Sequence, residues 1–230
     1  MTSRASTWSS APWPPGLGFL WEKRVLAAAF PWIHWAITAA PSSAEGSNRL
    51  AACADEELMQ RYARGELSAF EALFRRHAAS LFTTFLRHGV GEADAKDLVQ
   101  QAFFRAHQAR RDYRVGAPVK PWLWTIALNA MRDLQRSQGR QRKFSGVLGD
   151  LQKVVATQRP SERESSRAVQ AALQRLAPAQ REVLVLHFYE QFTFSEISEV
   201  LGVGEGAVRV RAHRAYKKLR QLLGSGGREA

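Results

Sequence analysis

Apolar residues recur at steps of three and four from Asp55 onward, which is the period of one face of an α-helix. The first such stripe predicts a long helix that ends at the glycines Gly89 and Gly91. Its members are Leu67, Phe70, Leu73, Phe74, Leu81, Phe82 and Phe85. This segment is therefore expected to contribute one buried face to a helical core.

Two further helices are predicted downstream, on either side of a loop at residues 112–119 that contains Gly116 and Pro118. The helix over residues 93–110 is expected to turn inward Leu98, Val99, Ala102, Phe103 and Ala106. The helix after Pro121 is expected to bury Trp122, Leu123, Ile126, Ala130 and Leu134. Because no strand-like alternation occurs here, residues 53–140 are predicted to form an all-helical bundle.

The helical period fades between residues 137 and 164, where Gln, Ser, Gly and Arg become frequent. We interpret residues 141–164 as a linker with a short helix near 147–155. A second domain is predicted over residues 165–224, followed by a tail at 225–230. Its first stripe is Val169, Ala172, Leu173 and Leu176, and a helix that starts at Pro178 carries Val183, Leu184, Leu186 and Phe188. The expected fold is all-α, with two small helical domains joined by a flexible linker, the second a four-helix helix-turn-helix domain.

A helix-turn-helix is predicted at about residues 193–213. Thr193 and Glu196 have the spacing of a capping box, in which each side chain bonds the other's backbone N–H. Gly202 follows where a left-handed residue ends a short helix, and Gly204 starts the next. The second helix has an apolar stripe at Val208, Ala212, Ala215, Leu219 and Leu222.

Charge indicates the partner. The chain carries 33 basic and 21 acidic residues, a net charge of +12, which favours a polyanion such as nucleic acid or an anionic membrane surface. The bases concentrate in two stretches, 132–143 and 209–220, which suggests two contact regions. A capped helix, a glycine turn and a basic second helix have the geometry that fills a DNA major groove. The alternative is an ordinary helical hairpin whose outer face is basic.

The first 52 residues differ from the rest and hold five of the seven tryptophans. Lys23 and Arg24 precede an apolar run at residues 25–40, which outlines a signal peptide or a membrane anchor. The run is interrupted by Pro31 and His34 and is shorter than the ~20 residues of a membrane-spanning helix. We expect a disordered extension or a start codon assigned too far upstream.

No enzyme site is visible in the sequence. The six histidines lack metal-ligand spacing with carboxylates or with the lone Cys53, which also excludes an internal disulfide. No phosphate-binding loop of the Walker form occurs. We therefore expect no catalytic residues, no metal, no cofactor and no small-molecule substrate.

Four motifs follow one another along the chain: DEEL with GELSAF at residues 55–58 and 65–70, DAKDLVQQAF at 94–103, WLWTIALN at 122–129, and LGVGEGAVRVRAHRA at 201–215. Together and in this order they resemble the extracytoplasmic-function (ECF) group of sigma-70 factors. The chain departs from the family at Leu128, where arginine is usual, and at Gly204, where a serine N-cap is usual.

The resemblance implies a cytoplasmic subunit that binds core RNA polymerase and promoter DNA, and it leaves an anti-sigma factor open as a further partner. It implies three sets of site residues. Core polymerase would be bound by Asp94, Asp97, Leu98, Gln100, Gln101 and Phe103. The minus-ten element would be opened and held by Trp122, Thr125, Asn129, Arg132 and Arg136. The minus-thirty-five element would be read by Arg209, Arg211, His213, Arg214, Lys217 and Lys218.

Two other functions stay open from the residues alone. A helix-turn-helix repressor or activator would bind promoter DNA without polymerase, but it leaves the motifs at 94–103 and 122–129 unexplained. A membrane-associated interaction protein would use residues 25–40, and deleting residues 1–50 would separate it from a sigma factor.

Overall fold

The computed structural model of the chain describes residues 50, 52–145 and 160–224, with side chains at residues 50, 52–140 and 167–223. The extension at residues 1–49, its apolar run at 25–40, the short helix expected near 147–155 and the tail at 225–230 lie outside the described residues. Within those described ranges the secondary structure is helical and contains no strand, so the predicted all-α class is confirmed.

The first group of helices is a bundle of four. Its elements are α1 (Asp55–Ala63), α2 (Leu67–Arg87), α3 (Glu92–Gln108), a 3-10 turn (Ala109–Arg111) and α4 (Val119–Ser145). The turn between α2 and α3 needs Gly89 at φ +84°, which favours glycine. Gly91 is the N-cap of α3 and does not terminate α2.

Aromatic side chains fill the core of this first group. Phe74, Phe85 and Phe103 are fully buried, and the Phe70 and Phe103 rings meet edge to face at 5.9 Å. Each such burial stabilises the fold by about 1.5–3 kcal/mol relative to exposure. One predicted member of the stripe is wrong. Leu67 is 66% exposed, because it is the first residue of α2 and lies beyond the reach of the neighbouring helices.

The buried face of α4 is wider than predicted. Trp124 and Leu128 are fully buried, whereas Trp122 and Ile126 are only partly covered. The reason is that α4 packs against α1, α2 and α3 and also against a helix of the second group. A helix with partners on several sides buries more than one stripe, so a single apolar face did not describe it.

The second group follows the predicted order. Its elements are α5 (Pro160–Gln174), α6 (Pro178–Leu184) with a π-helical turn (Val185–Tyr189), α7 (Phe194–Leu201) and α8 (Glu205–Gly224). Leu173, Leu176, Leu184 and Ala215 form its core. Phe188, predicted inward, is 51% exposed, because the wider π-helical turn shifts the phase of the apolar stripe after Leu186.

The helices reach into both ends of the segment interpreted as a linker. Helix α4 continues to Ser145 and α5 begins at Pro160, so residues 141–145 and 160–164 are helical. The Gln- and Arg-rich composition of 137–145 is compatible with this, since both residue types are good helix formers. Proline is tolerated at the start of α5 because the first N–H groups of a helix have no intrahelical partner.

The two groups pack against each other. Helix α7 contacts α4, and α2 contacts both α5 and the π-helical turn. By backbone contacts all the described residues belong to one compact unit, Ala44–Ala230. The spacing pattern alone gave no sign of this packing.

Candidate polymerase and DNA interfaces

The outer face of α3 is polar and carries four of the residues predicted to bind polymerase. Asp97 is exposed, and Asp94, Gln100 and Gln101 are half-buried. Asp94 accepts a hydrogen bond from the side-chain amide of Gln138 on α4 at 2.8 Å, which fixes α3 against α4. The face thus combines carboxylates and amides on a rigid helix.

The remaining two predicted polymerase ligands point inward. Leu98 is 2% exposed and Phe103 is 1% exposed. The Phe103 ring lies 4.7 Å from that of Phe74 within the core. The surface of α3 that a partner can reach in this structure therefore does not include these two side chains. They hold α3 on the bundle by its opposite face, which is where an amphipathic helix places its apolar residues.

A polar stripe runs along α4 opposite its buried face. Asn129 and Arg136 are exposed, and Thr125 and Arg132 are half-buried. Thr125 donates to the carbonyl of Pro121 at 2.9 Å, and Arg132 donates to the Asn129 amide oxygen at 3.1 Å. The structure thus brings these four predicted residues onto one face of one helix, as their spacing required.

Asp133 is a member of this region that the sequence did not single out. Its carboxylate lies 2.6 Å from Arg136 and 3.0 Å from Arg105 of α3. Shared between two arginines, it orients Arg136 along the helix. No sequence signal marked it beyond its being the only acid among the bases of residues 132–143.

Trp122, the fifth predicted residue, lies where the loop at 112–118 meets α4. Its ring makes an edge contact with Tyr113 at 5.2 Å. Tyr113 is buried, and its hydroxyl donates to the carbonyl of Ala117, which closes the loop. Burial raises the pKa of Tyr113 to about 12, so its hydroxyl stays protonated. A half-buried tryptophan beside a closed loop offers a surface for stacking.

The helix-turn-helix has the predicted local geometry. The Thr193 hydroxyl accepts from the Glu196 N–H at 3.2 Å, and the Glu196 carboxylate accepts from the Thr193 N–H at 2.8 Å. This capping box starts α7, and Gly202 ends it in the left-handed region at φ +65°. Helix α8 then begins with the Gly204 carbonyl accepting from the N–H groups of Ala207 and Val208. The predicted capping box and the predicted left-handed Gly202 are therefore both confirmed.

Helix α8 presents its bases on the side away from Val208 and Ala215, which are fully buried. The exposed ones are Arg209, His213, Arg214, Lys217, Lys218 and Arg220. Arg209 pairs with Glu205 one turn earlier at 2.6 Å, an exposed pair worth less than ~1 kcal/mol and hence easily exchanged for DNA. Arg211 is half-buried, so it is less available than Arg209.

His88 lies at the end of α2 beside the second helix group. It is 4% exposed, its Nδ1 lies 2.8 Å from the Thr84 carbonyl, and Nε2 has no hydrogen-bond partner among the described residues. Burial lowers the pKa of His88 below its usual 6.5, and Arg181 and Arg132 lower it further, against raising by Glu182 and the Thr84 hydrogen bond.

Stability is expected to fall with acidification because of His88. The unfolded chain takes up a proton near pH 6.5 while the folded chain resists it, so unfolding is favoured as the pH falls below 6.5 toward the lowered pKa. Urea denaturation at pH 7.5 and pH 5.5 measures this loss. His88→Gln should lose less stability between the two pH values than the native chain. Equal losses in both proteins would show that His88 does not control this pH dependence.

No cluster of three or more His, Cys, Asp or Glu side chains able to hold a metal ion occurs in the described ranges. None of the helices described is both long and apolar enough to span a bilayer.

Two protein-family models match the chain, one on each helix group. Sigma-70 region 2 matches residues 73–141, and Sigma-70, region 4 matches residues 166–219. The RNA polymerase sigma factor CarQ of Myxococcus xanthus is 39% identical over 166 residues, which cover 72% of this chain and 95% of CarQ. The chain belongs to the sigma-70 family.

Other relatives place this sigma factor in the ECF group. The ECF RNA polymerase sigma factor SigM of Mycobacterium tuberculosis is 34% identical over 171 residues, covering 74% of this chain and 85% of SigM. The sigma factor therefore directs RNA polymerase to promoters. A helix-turn-helix regulator independent of polymerase is not favoured, because the region 2 family accounts for the first helix group.

Solved structures of sigma factors resemble this one. CnrH in complex with the cytosolic domain of CnrY gives a TM-score of 0.60 at 32% identity, covering 75% of this chain and 99% of CnrH. RpoE of Bartonella quintana in complex with the anti-sigma factor NepR gives 0.62 at 25% identity, covering 67% and 96%. Both agree with the two-part helical fold.

Proposed function

We propose that three surfaces of this sigma factor divide the work of initiation. The outer face of α3 binds core polymerase, the polar stripe of α4 holds the opened minus-ten strand, and the basic face of α8 reads the minus-thirty-five duplex. The observation that carries this proposal is the α4 stripe, where Asn129 and Arg136 are exposed on a helix whose opposite face is fully buried. A rigid helix can hold a single strand in a defined register.

Polymerase docking rests on the chemistry of α3. Asp97 lies on the exposed face, with Asp94, Gln100 and Gln101 around it. Carboxylates and amides of this kind pair with basic and polar side chains of a partner, which gives orientation as well as affinity. Leu98 and Phe103 serve this surface from within, by fixing the helix.

Strand capture, by which we mean the holding of the opened minus-ten strand, is assigned to α4 and the loop before it. Arg132 and Arg136 supply charge for phosphates, and Asn129 supplies an amide for a base edge. Trp122 and the loop closed by Tyr113 can stack an unpaired base, an interaction worth about 1–3 kcal/mol per base. Unpaired bases can be contacted on edges that the duplex hides.

Duplex reading rests on α8. Arginines near the start of a recognition helix reach the guanine O6 and N7 atoms, while later bases contact phosphate. We assign base reading to Arg209 and Arg211, and phosphate contact to Lys217 and Lys218, with His213 and Arg214 between them.

Bounds, partners and location follow from this assignment. We propose a region-2-like domain at residues 53–140 and a region-4-like domain at 165–224. Helix α4 extends the first of these to Ser145, and α5 begins the second at Pro160. CnrH and RpoE were solved with CnrY and with the anti-sigma factor NepR, which supports an anti-sigma partner here as well. A protein whose partners are polymerase and DNA works in the cytoplasm, and neither partner requires it to be an enzyme.

Asn129→Ala tests strand capture. We expect open-complex formation on duplex promoter DNA to fall about three- to tenfold, the cost of roughly one hydrogen bond. On a template opened beforehand around the minus-ten element the loss should be smaller, because melting is no longer required. Open complexes are counted by permanganate reactivity of unpaired thymines. Gln135→Ala, an exposed amide outside the stripe, is the matched control. Equal loss on both templates would contradict the assignment.

A further inference from the structure

Helix α4 begins without a side-chain cap from the residue that precedes it. That residue is Pro118, whose side chain carries no hydrogen-bond acceptor, and Val119, the first residue of α4, is 1% exposed. The first N–H groups of a helix have no intrahelical partner, and a buried N–H without any partner destabilises a fold. Here the partner comes from α1, because the Glu56 carboxylate accepts from the Val119 N–H at 3.2 Å. A residue 63 positions away in the sequence therefore fixes the start of α4.

The loop at residues 112–118, which leads into α4, is folded on itself. The Tyr113 hydroxyl donates to the Ala117 carbonyl, and Gly116 takes φ +84°, which lets the chain reverse. These two features shape the loop without joining it to another helix. Burial raises the pKa of Tyr113 to about 12, and the nearby charge of Glu56 adds to this rise. Glu56 thus lies beside the loop as well as at its end.

Asp55, the first residue of α1, makes a second link to α4. Its carboxylate lies 2.7 Å from Nε2 of His77, which is 6% exposed, and it also pairs with Arg76. The His77 ring meets the buried Trp124 ring edge-on at 5.6 Å. The first turn of α1 therefore holds α4 directly at Val119 and, through His77, at Trp124.

Trp122 lies between these two points of attachment. It follows Val119 by about one helical turn and precedes Trp124 by two residues, and its ring meets that of Tyr113 at 5.2 Å. The position of this ring against the loop therefore depends on where the first turn of α4 starts. Because Glu56 binds the first N–H of that turn, it controls the geometry of the stacking surface from outside the surface itself.

We propose that Glu56 is a positioning residue for base capture, holding the start of α4 so that Trp122 and the loop at residues 112–118 can stack an unpaired minus-ten base. The inference rests on the proposed role of Trp122 and this loop in strand capture. Glu56 is half-buried and engaged with the Val119 N–H, so it acts through α4 and not on DNA itself. Without the acceptor a buried N–H loses its partner, and a shift of the first turn of α4 relieves that cost.

The test uses the full chain with core polymerase and variants of α1. Glu56→Ala removes the acceptor, whereas Glu56→Gln keeps an oxygen that can accept from the same N–H. Glu56→Asp keeps the charge but draws the acceptor back by one methylene, so it is a milder second variant. Glu57→Ala is the matched control, because Glu57 is exposed and pairs with Arg61 on its own helix at 2.7 Å. Circular dichroism checks that each variant keeps its helices.

The probe is a promoter fork whose non-template minus-ten segment is single-stranded, so that binding requires no melting. A parallel set of forks lacks one base at each position of this segment in turn. Fluorescence anisotropy measures the affinity of the holoenzyme for each fork, and the ratio of intact to abasic affinity isolates the stacking of that base. A general loss of stability or of polymerase binding lowers both affinities and leaves this ratio unchanged.

For the native chain we expect a ratio of about five or more at one position, as the stacking of one base supports. Glu56→Ala should bring that ratio below about two, and Glu56→Asp should give an intermediate value. Glu56→Gln and Glu57→Ala should stay near the native ratio. A native ratio in folded Glu56→Ala or Glu56→Asp would overturn the proposal, and so would a folded Glu56→Gln with the ratio expected of Glu56→Ala.

Trp122→Ala, measured beside these variants, separates the positioning role from the proposed function on which it rests. We expect it to lower the ratio at the same position as Glu56→Ala does. If Trp122→Ala kept the native ratio, the assignment of strand capture to this surface would be wrong. If Trp122→Ala lowered the ratio and both Glu56→Ala and Glu56→Asp did not, strand capture would stand and only the role of Glu56 would be refuted.

Discussion

Asp97→Lys combined with Gln100→Lys is expected to weaken association with core RNA polymerase by about 30-fold or more. Each lost contact at such a face costs ~1–3 kcal/mol where the pair is desolvated, so two cost at least about 2 kcal/mol. Both side chains lie on the outer face of α3, and the helix is held from its other side by Leu98 and Phe103. The variant should therefore keep its fold.

Fluorescence titration of labelled sigma factor with core polymerase measures the affinity. Glu71→Lys reverses a charge on α2, outside the proposed docking face, and should bind as the native chain does. If the double variant also bound with native affinity and normal helicity, α3 would not be the docking helix.

Replacing Arg209 or Arg211 with Ala is expected to reduce transcription from a matched promoter by about 5- to 150-fold, the equivalent of ~1–3 kcal/mol. Preference at one or two positions of the minus-thirty-five element should relax as well. The larger loss is expected for Arg209, because its side chain is 66% exposed while Arg211 is half-buried. The alanine variant loses the bidentate contact that arginine makes with guanine, and a water molecule does not reproduce that pair of hydrogen bonds.

Lys217→Ala and Lys218→Ala are the comparison set on the same helix. They lie more than two turns after Arg209 and should weaken binding to all sequences about equally, lowering the salt slope by about one unit per contact. Run-off transcription on matched and scrambled minus-thirty-five elements separates the two behaviours. Proportionate losses for all four variants on both templates would remove the base-reading role from Arg209 and Arg211.

Local features of this fold could be predicted from the sequence because the determining residues are neighbours. The capping box of Thr193 and Glu196, the left-handed Gly202 and the N-terminal Pro178 each act within one helical turn. The inward residues of α3 were predicted correctly for the same reason, since one periodic face describes a helix with partners on one side.

Features that depend on distant residues could not be predicted in this way. Trp124 is buried instead of Trp122 because α4 has partners on several sides, including α7 from the second group. Glu190 meets Ser80 and Thr84 across more than 100 residues, and Glu182 meets Arg132 across 50. Nothing in the spacing of a single glutamate distinguishes one that is buried between two helix groups from one that lies on a solvated surface.

The central claim is that this chain confers promoter selectivity on RNA polymerase. The most direct test is run-off transcription by core polymerase on a pool of genomic promoters, with and without the purified chain, beside a gel-shift assay of the chain alone on the same DNA. We predict discrete transcripts only when chain and polymerase are both present, with little binding of duplex DNA by the chain alone. Tight binding of promoter duplex by the chain alone, with no transcripts added to those of core polymerase, would contradict the account.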